Sequence, residues 1–361
     1  MPRPHDRHGR PLGVLRLSVT ARCNLACPYC CPDDRDPPDL LRLEERRLLV
    51  ESAVGLGVRT LRLTGGEPLL DGRLEDLVAA VRPMRHRPSD DPRGRLNTIA
   101  LTSNGQLLTG DRARRLRQAG LDRITLSLDG TDGTAVARMA GLRGGEAVGG
   151  SVLERVLEAL DHARAAGFDP ARGELKLNAV ILRGENDHQL LRLAGLARRQ
   201  GVELRLIEYM PVGNRNGWSE AQVVRSAEMV ERIADRWPLV PMGRPAHGTA
   251  GRWRYRDGGG QLAVVASVSE PFCGDCDRLR ITADGIAYTC LFATSGTDLK
   301  PWLRPDGGRA PDPRALTRAL GNLWRGRADR WSEERLAAER TGAAGSRVGT
   351  AERAEMAYLG G

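Results

Sequence analysis

The sequence predicts an α/β fold. An incomplete (β/α)6, TIM-like barrel occupies residues 1–210 and an α+β extension occupies residues 211–361. Three observations predict it. Six short β-rich stretches recur before residue 210. Amphipathic helical patterns or connections separate them. After Tyr209 that alternation stops, and connections, a hairpin pattern and closely spaced cysteines take over.

Val14–Thr20 reads as the first strand, with Leu43–Val54 as the helix after it. Arg59–Thr64 with Arg73–Val81 makes the second unit, and Thr98–Ser103 with Asp111–Ala119 the third. Arg123–Leu128 is the fourth strand, followed by the helix Val152–Ala166. Leu175–Leu182 with His188–Arg199 is the fifth unit, and Glu203–Glu208 is the sixth strand. Alternation of this kind argues for a parallel sheet with right-handed crossovers. Arg82–Arg95 and the Gly-rich Asp129–Gly150 read as loops. Beyond the barrel, Pro211–Trp218 is a connection, Arg252–Val268 a hairpin and Pro313–Trp324 a helix, and the stretch from Arg335 is an Arg- and Gly-rich tail.

Composition narrows the function classes. Hydrophobic residues make up 40% but aromatics only 4%, so the core must rest on Leu, Val, Ile and Ala. No stretch approaches the roughly 20 apolar residues that span a bilayer. Met1–Pro11 is polar and basic with no apolar run behind it, so no export signal is expected and the cytoplasm is the expected location. Net charge is +9, and Lys176 and Lys300 are the only lysines among 55 basic residues. The charge is spread along the chain in no long basic tract, which speaks against a nucleic-acid partner and suits a small polyanion. The seven cysteines fall in two tight, distant groups, a pattern that more often holds metal than a disulfide framework.

Cys23, Cys27 and Cys30 have the spacing C-x3-C-x2-C just after the first strand. Three thiolates can hold three irons of a four-iron cluster and leave the fourth open to chelate a substrate. A zinc site with Cys31 as fourth ligand is the alternative on spacing alone, although adjacent side chains diverge. With Tyr29 before the last cysteine, the motif resembles the radical S-adenosylmethionine superfamily. Thr64-Gly65-Gly66-Glu67-Pro68 after the second strand and Ser127 with Asp129 at the end of the fourth resemble that superfamily too. The resemblance implies a [4Fe-4S] cluster and S-adenosyl-L-methionine. It also implies cofactor contacts from Tyr29, Gly66 and Ser127.

Cys273-x2-Cys276-x13-Cys290 is a second three-cysteine set without an obvious fourth ligand. Zinc with His247 is its alternative reading. Arg278 and Arg280 flank Leu279, and residues two apart on a strand share a face. Two guanidiniums beside a cluster make an anion site. The segment Phe272–Gly285, then Cys290-Leu-Phe292, Leu15–Cys23, Leu204–Met210 and the terminal Gly360-Gly361 together resemble the GTP 3′,8-cyclase family of molybdenum-cofactor biosynthesis.

That resemblance implies a lyase with two [4Fe-4S] clusters, the second in the extension. It would convert GTP to (8S)-3′,8-cyclo-7,8-dihydroguanosine 5′-triphosphate after a 5′-deoxyadenosyl radical removes the C3′ hydrogen. Residue by residue, Arg16 matches a GTP contact and proton donor. Arg62, Thr102, Lys176, Arg278, Leu279 and Arg280 match GTP contacts, and Met210 a contact to S-adenosylmethionine. The implied partners are GTP and a low-potential electron donor. The next enzyme, cyclic pyranopterin monophosphate synthase, is a functional partner, and there is room for a homodimer. Two rivals share parts of the pattern. One is a radical enzyme that modifies a peptide, and the other is a basic zinc protein that binds nucleic acid.

Overall fold

Period-two alternation inside the strands decides how the sheet is used. The computed structural model describes residues 3–305, 309–340 and 353–360. Strands β1 (Val14–Ser18), β2 (Thr60–Thr64), β3 (Thr98–Ser103), β4 (Arg123–Ser127), β5 (Leu175–Ile181) and β6 (Glu203–Glu208) lie side by side in sequence order, all parallel. The crossovers carry α1 (Leu43–Gly55), α2 (Leu74–Val81), α3 (Gly110–Ala119), α4 (Gly133–Met139), α5 (Gly145–Ala165) and α6 (Leu190–Arg199).

Leu15, Leu17, Leu61, Leu63, Leu126 and Leu177 are fully buried in the layer that joins the sheet to the helices. The alternate positions are polar: Arg16, Arg62, Arg123, Asn178 and Arg205 line a cavity on the other face. Burying one leucine is worth about 1.5–3 kcal/mol. A one-residue slip would exchange the two sets and drive guanidiniums into the core, so the register is tightly specified.

The remaining strands extend this sheet at both edges. Helix α7 (Ser226–Ala234) precedes β7 (Leu239–Gly243), β8 (Gly251–Tyr255) and β9 (Gln261–Val265). The β8–β9 pair is the hairpin expected from the sequence, and β9 runs parallel beside β6. Strand β10 (Arg278–Ile281) runs parallel beside β1, with β11 (Ile286–Tyr288) and β12 (Thr297–Asp298) beyond it. Helices α8 (Lys300–Leu303), α9 (Pro313–Gly326) and α10 (Trp331–Arg340) follow. Asp312 caps α9 by accepting from the Arg314 N–H at 2.8 Å, with Pro313 at the first helical position.

Two expectations need correcting. Asp129–Gly150 is not a loop, because α4 and the start of α5 fill most of it. A Cβ on Gly133 would lie 2.1 Å from the Glu146 carbonyl oxygen, and one on Gly149 would lie 1.8 Å from that of Gly133. The glycines are there so that two helices can meet backbone to backbone. The tail expected from Arg335 also begins as helix, since α10 includes residues 335–340. No described helix is long and apolar enough to cross a membrane.

Candidate active site

The long loop between β1 and α1 carries the first cysteines, and three ties set its path. The Asp36 carboxylate accepts from the Thr20 hydroxyl at 2.6 Å and the Ala21 N–H at 2.8 Å. Gly66 N–H donates to Thr20 O at 2.9 Å, and Glu67 N–H to Arg22 O at 2.8 Å. Ala26 N–H donates to Ala140 O, at the end of α4. The glycine motif therefore does more than leave room for a ligand. A Cβ on Gly66 would lie 2.1 Å from Arg22 O.

Cys23, Cys27 and Cys30 line one cavity of about 200 Å³ at the C-terminal ends of the strands. Tyr29, Gly66, Ser127 and Met210 line it too, so the expected cofactor contacts converge there. Cys31 does not line it. Its backbone takes a left-handed conformation (φ 49°), and its thiol donates to Pro28 O at 3.1 Å.

The donor chemistry fits an iron cluster. Burial pushes the Cys27 thiol well up, helped by Asp129 and the other two sulfurs, and pushes Cys30 to about 12. Three thiolates here need a cationic centre to exist. Among the described residues no three His, Cys, Asp or Glu come together as ligands of one metal ion. A four-iron cluster does not require that, because each thiolate takes its own iron. Asn178 Oδ1, on the cavity wall, is buried with no hydrogen-bond partner among the described residues. It is an acceptor suited to a ligand's donor.

Three supports of this loop were not assigned from the sequence. The Glu67 carboxylate is buried and accepts from Ser103 Oγ at 2.8 Å and Asn104 N–H at 2.7 Å. Asn104 in turn reaches Cys23 Sγ at 3.7 Å and Asn24 Oδ1 at 2.8 Å. Asp129 accepts from Tyr29 Oη at 2.6 Å and the Val180 N–H at 2.7 Å, and burial raises it to about 6. A Glu or Asp in a glycine-rich motif signals polarity, but no local pattern reveals partners on other strands.

A second cavity, of about 330 Å³, adjoins the first, with Thr102, Asn178, Ile207, Met210 and Met356 lining both. Cys273, Cys276 and Cys290 line it, with Arg16, Arg62, Arg123, Arg205, Arg252, Arg278, Arg280 and Arg327. Burial, then the crowd of like charges, lowers Arg62 to about 9 and Arg280 to about 10. Arg16 is lowered well below its usual range by burial and by Arg280. Guanidiniums crowded around one cavity make a strong field for a polyanion.

Two expected substrate residues stand apart. Leu279 alternates with the two arginines, so its side chain is fully buried in the sheet–helix core. Lys176 does not line the cavity. It donates to Glu203 at 2.8 Å, while Arg205 Nη2 donates to the other Glu203 oxygen at 2.9 Å. Burial brings Lys176 down to about 8 despite this carboxylate. Glu203→Gln would leave Lys176 buried without a counter-charge. It is expected to destabilise the fold by about 3 kcal/mol, read by urea denaturation. An unchanged midpoint would mean that the pair carries no weight.

The second cysteines are braced by the chain's first residues. Asp6, fully buried at its side chain, accepts from Arg10 Nε at 2.6 Å and lies 3.5 Å from Arg327 Nη1. Arg10 donates to Cys273 O at 2.6 Å, and Arg327 to Cys276 O at 2.6 Å and Cys276 Sγ at 3.1 Å. Burial raises the Cys276 thiol, but Arg278 and Arg327 outweigh it and bring it to about 6. Burial raises Cys290 to about 12.

Met356 lines both cavities, and the residues after it run beside two of the arginines. Gly360 O accepts from Arg16 Nη2 at 2.5 Å, and Leu359 O from Arg280 Nη1 at 3.4 Å. Gly361 lies outside the described residues.

Residues 17–197 match the model of the radical SAM superfamily, and residues 202–333 that of Molybdenum Cofactor Synthesis C. The chain is 59% identical to the GTP 3′,8-cyclase of Synechococcus sp. (strain CC9605), covering 99% of this chain and 98% of that one. It is 60% identical to the GTP 3′,8-cyclase of Parasynechococcus marenigrum (strain WH8102), with the same coverage. Among solved structures, Streptococcus suis SuiB bound to S-adenosylmethionine matches with a TM-score of 0.60 at 14% identity. That match covers 88% of this chain and 67% of SuiB, and shows a shared fold. With near-complete coverage at this level of identity, the chain belongs to the GTP 3′,8-cyclase family of the radical SAM superfamily.

Proposed function

We propose that the chain cyclises GTP between C3′ and C8, in the cytoplasm, at the first step of molybdenum-cofactor biosynthesis. The observation that carries the reading is the pair of adjoining three-cysteine cavities that share a wall, with arginines lining the second. Cys23, Cys27 and Cys30 would hold a four-iron cluster with an open iron, and Cys273, Cys276 and Cys290 a second. Residues 1–210 would form the partial barrel and residues 211–361 the auxiliary-cluster region. With an electron from a low-potential donor, the first cluster and S-adenosylmethionine would supply the radical chemistry that removes the C3′ hydrogen.

The chain's own residues do the rest. Tyr29, Gly66, Ser127 and Met210 line the first cavity and would seat S-adenosylmethionine. Arg62, Arg278 and Arg280 would neutralise the triphosphate, with bidentate geometry that lysine cannot reproduce. Thr102, on the wall common to both cavities, would contact the ribose. Lys176 would act one step back, through Glu203, on Arg205. Arg16, whose burial favours giving up a proton, would supply one to the cyclised guanine. Close seating matters most here, since a loosely held radical attacks protein instead. The product would pass to cyclic pyranopterin monophosphate synthase.

The test is anaerobic turnover with S-adenosylmethionine, reductant and GTP deuterated at C3′, followed by mass spectrometry of the 5′-deoxyadenosine. Deuterium in that product is the expected result. Deoxyadenosine without deuterium would keep the radical chemistry and reject GTP C3′ as its target.

A further inference from the structure

We propose that Arg327 is a positioning residue for the second cluster, setting its reduction potential through a charge-assisted hydrogen bond to the Cys276 sulfur. The proposal rests on the reading that Cys273, Cys276 and Cys290 hold a cluster.

The geometry is specific. Arg327 is 4% exposed, and its guanidinium lies over the Trp324 ring at 4.7 Å from the centroid. One of its nitrogens reaches Cys276 Sγ at 3.1 Å, while the other takes Cys276 O at 2.6 Å. Both bonds leave the planar fork together, so the sulfur and the carbonyl of one ligand are fixed against one rigid group. Asp6 lies 3.5 Å away and Asp329 3.6 Å, which holds the cation in place. Asp6 is itself fixed by the His8 N–H, the Arg10 N–H and Arg10 Nε. The Trp324 ring that backs the guanidinium donates its Nε1–H to Arg10 O at 3.0 Å. Arg10 holds the carbonyl of Cys273 but no sulfur, so the two arginines of the brace differ in role.

Reduction adds one negative charge to a cluster. A cation and an N–H donor on a ligand sulfur stabilise that more negative state, and hydrogen bonds to the sulfurs are among the determinants of cluster potential. Removing Arg327 should make the second cluster harder to reduce and leave the first unaffected.

The experiment is an anaerobic redox titration, followed by EPR, of the reconstituted full chain and of Arg327→Met. The two couples are told apart because added S-adenosylmethionine perturbs only the cluster that binds it. For the second cluster, the reduced-to-oxidised ratio at fixed potential is expected to fall at least about tenfold, which is about 59 mV for one electron. The first couple should not move. A second couple unchanged within about threefold, or both couples moving together, would overturn the proposal. If Arg327→Met loses the second cluster alone, Arg327→Lys is titrated instead. Lysine keeps the charge but cannot serve sulfur and carbonyl from one planar fork, so a smaller shift in the same direction is expected, and an unmoved couple overturns the proposal. A wild-type chain with about four irons, where two clusters require about eight, would overturn the two-cluster reading itself.

Discussion

Gly66→Ala is expected to strip the chain of its first cluster while leaving the fold standing. The added methyl would sit 2.1 Å from Arg22 O and 2.5 Å from Ala21 O. Both atoms are backbone, so no side chain can swing aside, and the loop carrying Cys23 must move. The hydrogen bonds from Gly66 to Thr20 and from Glu67 to Arg22 would then be lost. A displacement near 1 Å at reacting groups costs about 100-fold in rate, and deoxyadenosine formation should fall by at least that much. With the proposed second cluster in place, iron per chain should drop by about half, because the second cysteine set shares none of these contacts. The thermal transition should shift by only a few degrees, since the leucine layer behind the sheet is unchanged. Full iron content with full turnover would show that the cysteine loop does not depend on this approach.

Arg62→Met should separate stability from function in opposite directions. Arg62 is half-buried, faces Arg123, Arg205, Arg278 and Arg280, and donates to Thr102 Oγ1 at 3.4 Å. Without a polyanion, that charge is a burden on the fold. Methionine of similar length would relieve it, and the protein without nucleotide is expected to gain about 1–2 kcal/mol against urea. GTP binding should weaken about 100-fold, the loss of one buried, charged hydrogen-bonding group worth about 2.7 kcal/mol. Equilibrium binding and denaturation on the same preparation decide it. Lower stability with unchanged affinity would place the triphosphate elsewhere.

Much of this architecture was legible from residues that are close in sequence. Cys23, Cys27 and Cys30 announce their chemistry through spacing, and Thr64–Pro68 confirms it from the next strand. The six parallel strands were readable because each carries its apolar positions at a period of two. What was not legible depends on long-range meetings. Lys176 was expected at the substrate from the family resemblance, and nothing near it in sequence shows that it pairs with Glu203 on the neighbouring strand. The glycines of Gly133–Gly149 read as loop because local propensity carries no sign of a second helix at backbone distance. Asp6 and Arg10 read only as part of the polar, basic stretch Met1–Pro11, since nothing near them in sequence shows that they close around Cys273 and Cys276.

That brace has a consequence for how the protein is made. Arg10 meets the Cys273 carbonyl across 263 residues and the Asp329 carbonyl across 319. Strand β10, which carries the arginine pair, finds its neighbour only in β1 and β11. On the ribosome, the loop of Cys23–Cys30 emerges early, and its partners through α4 follow within the next hundred or so residues. The second cysteine set has no completed surroundings until the last third of the chain has been released. Contacts of such sequence separation form late and slowly. The two cysteine sets of this chain would therefore gain their surroundings in a fixed order, and a nascent chain stalled before β10 would expose the arginine-lined cavity along the open edge of β1.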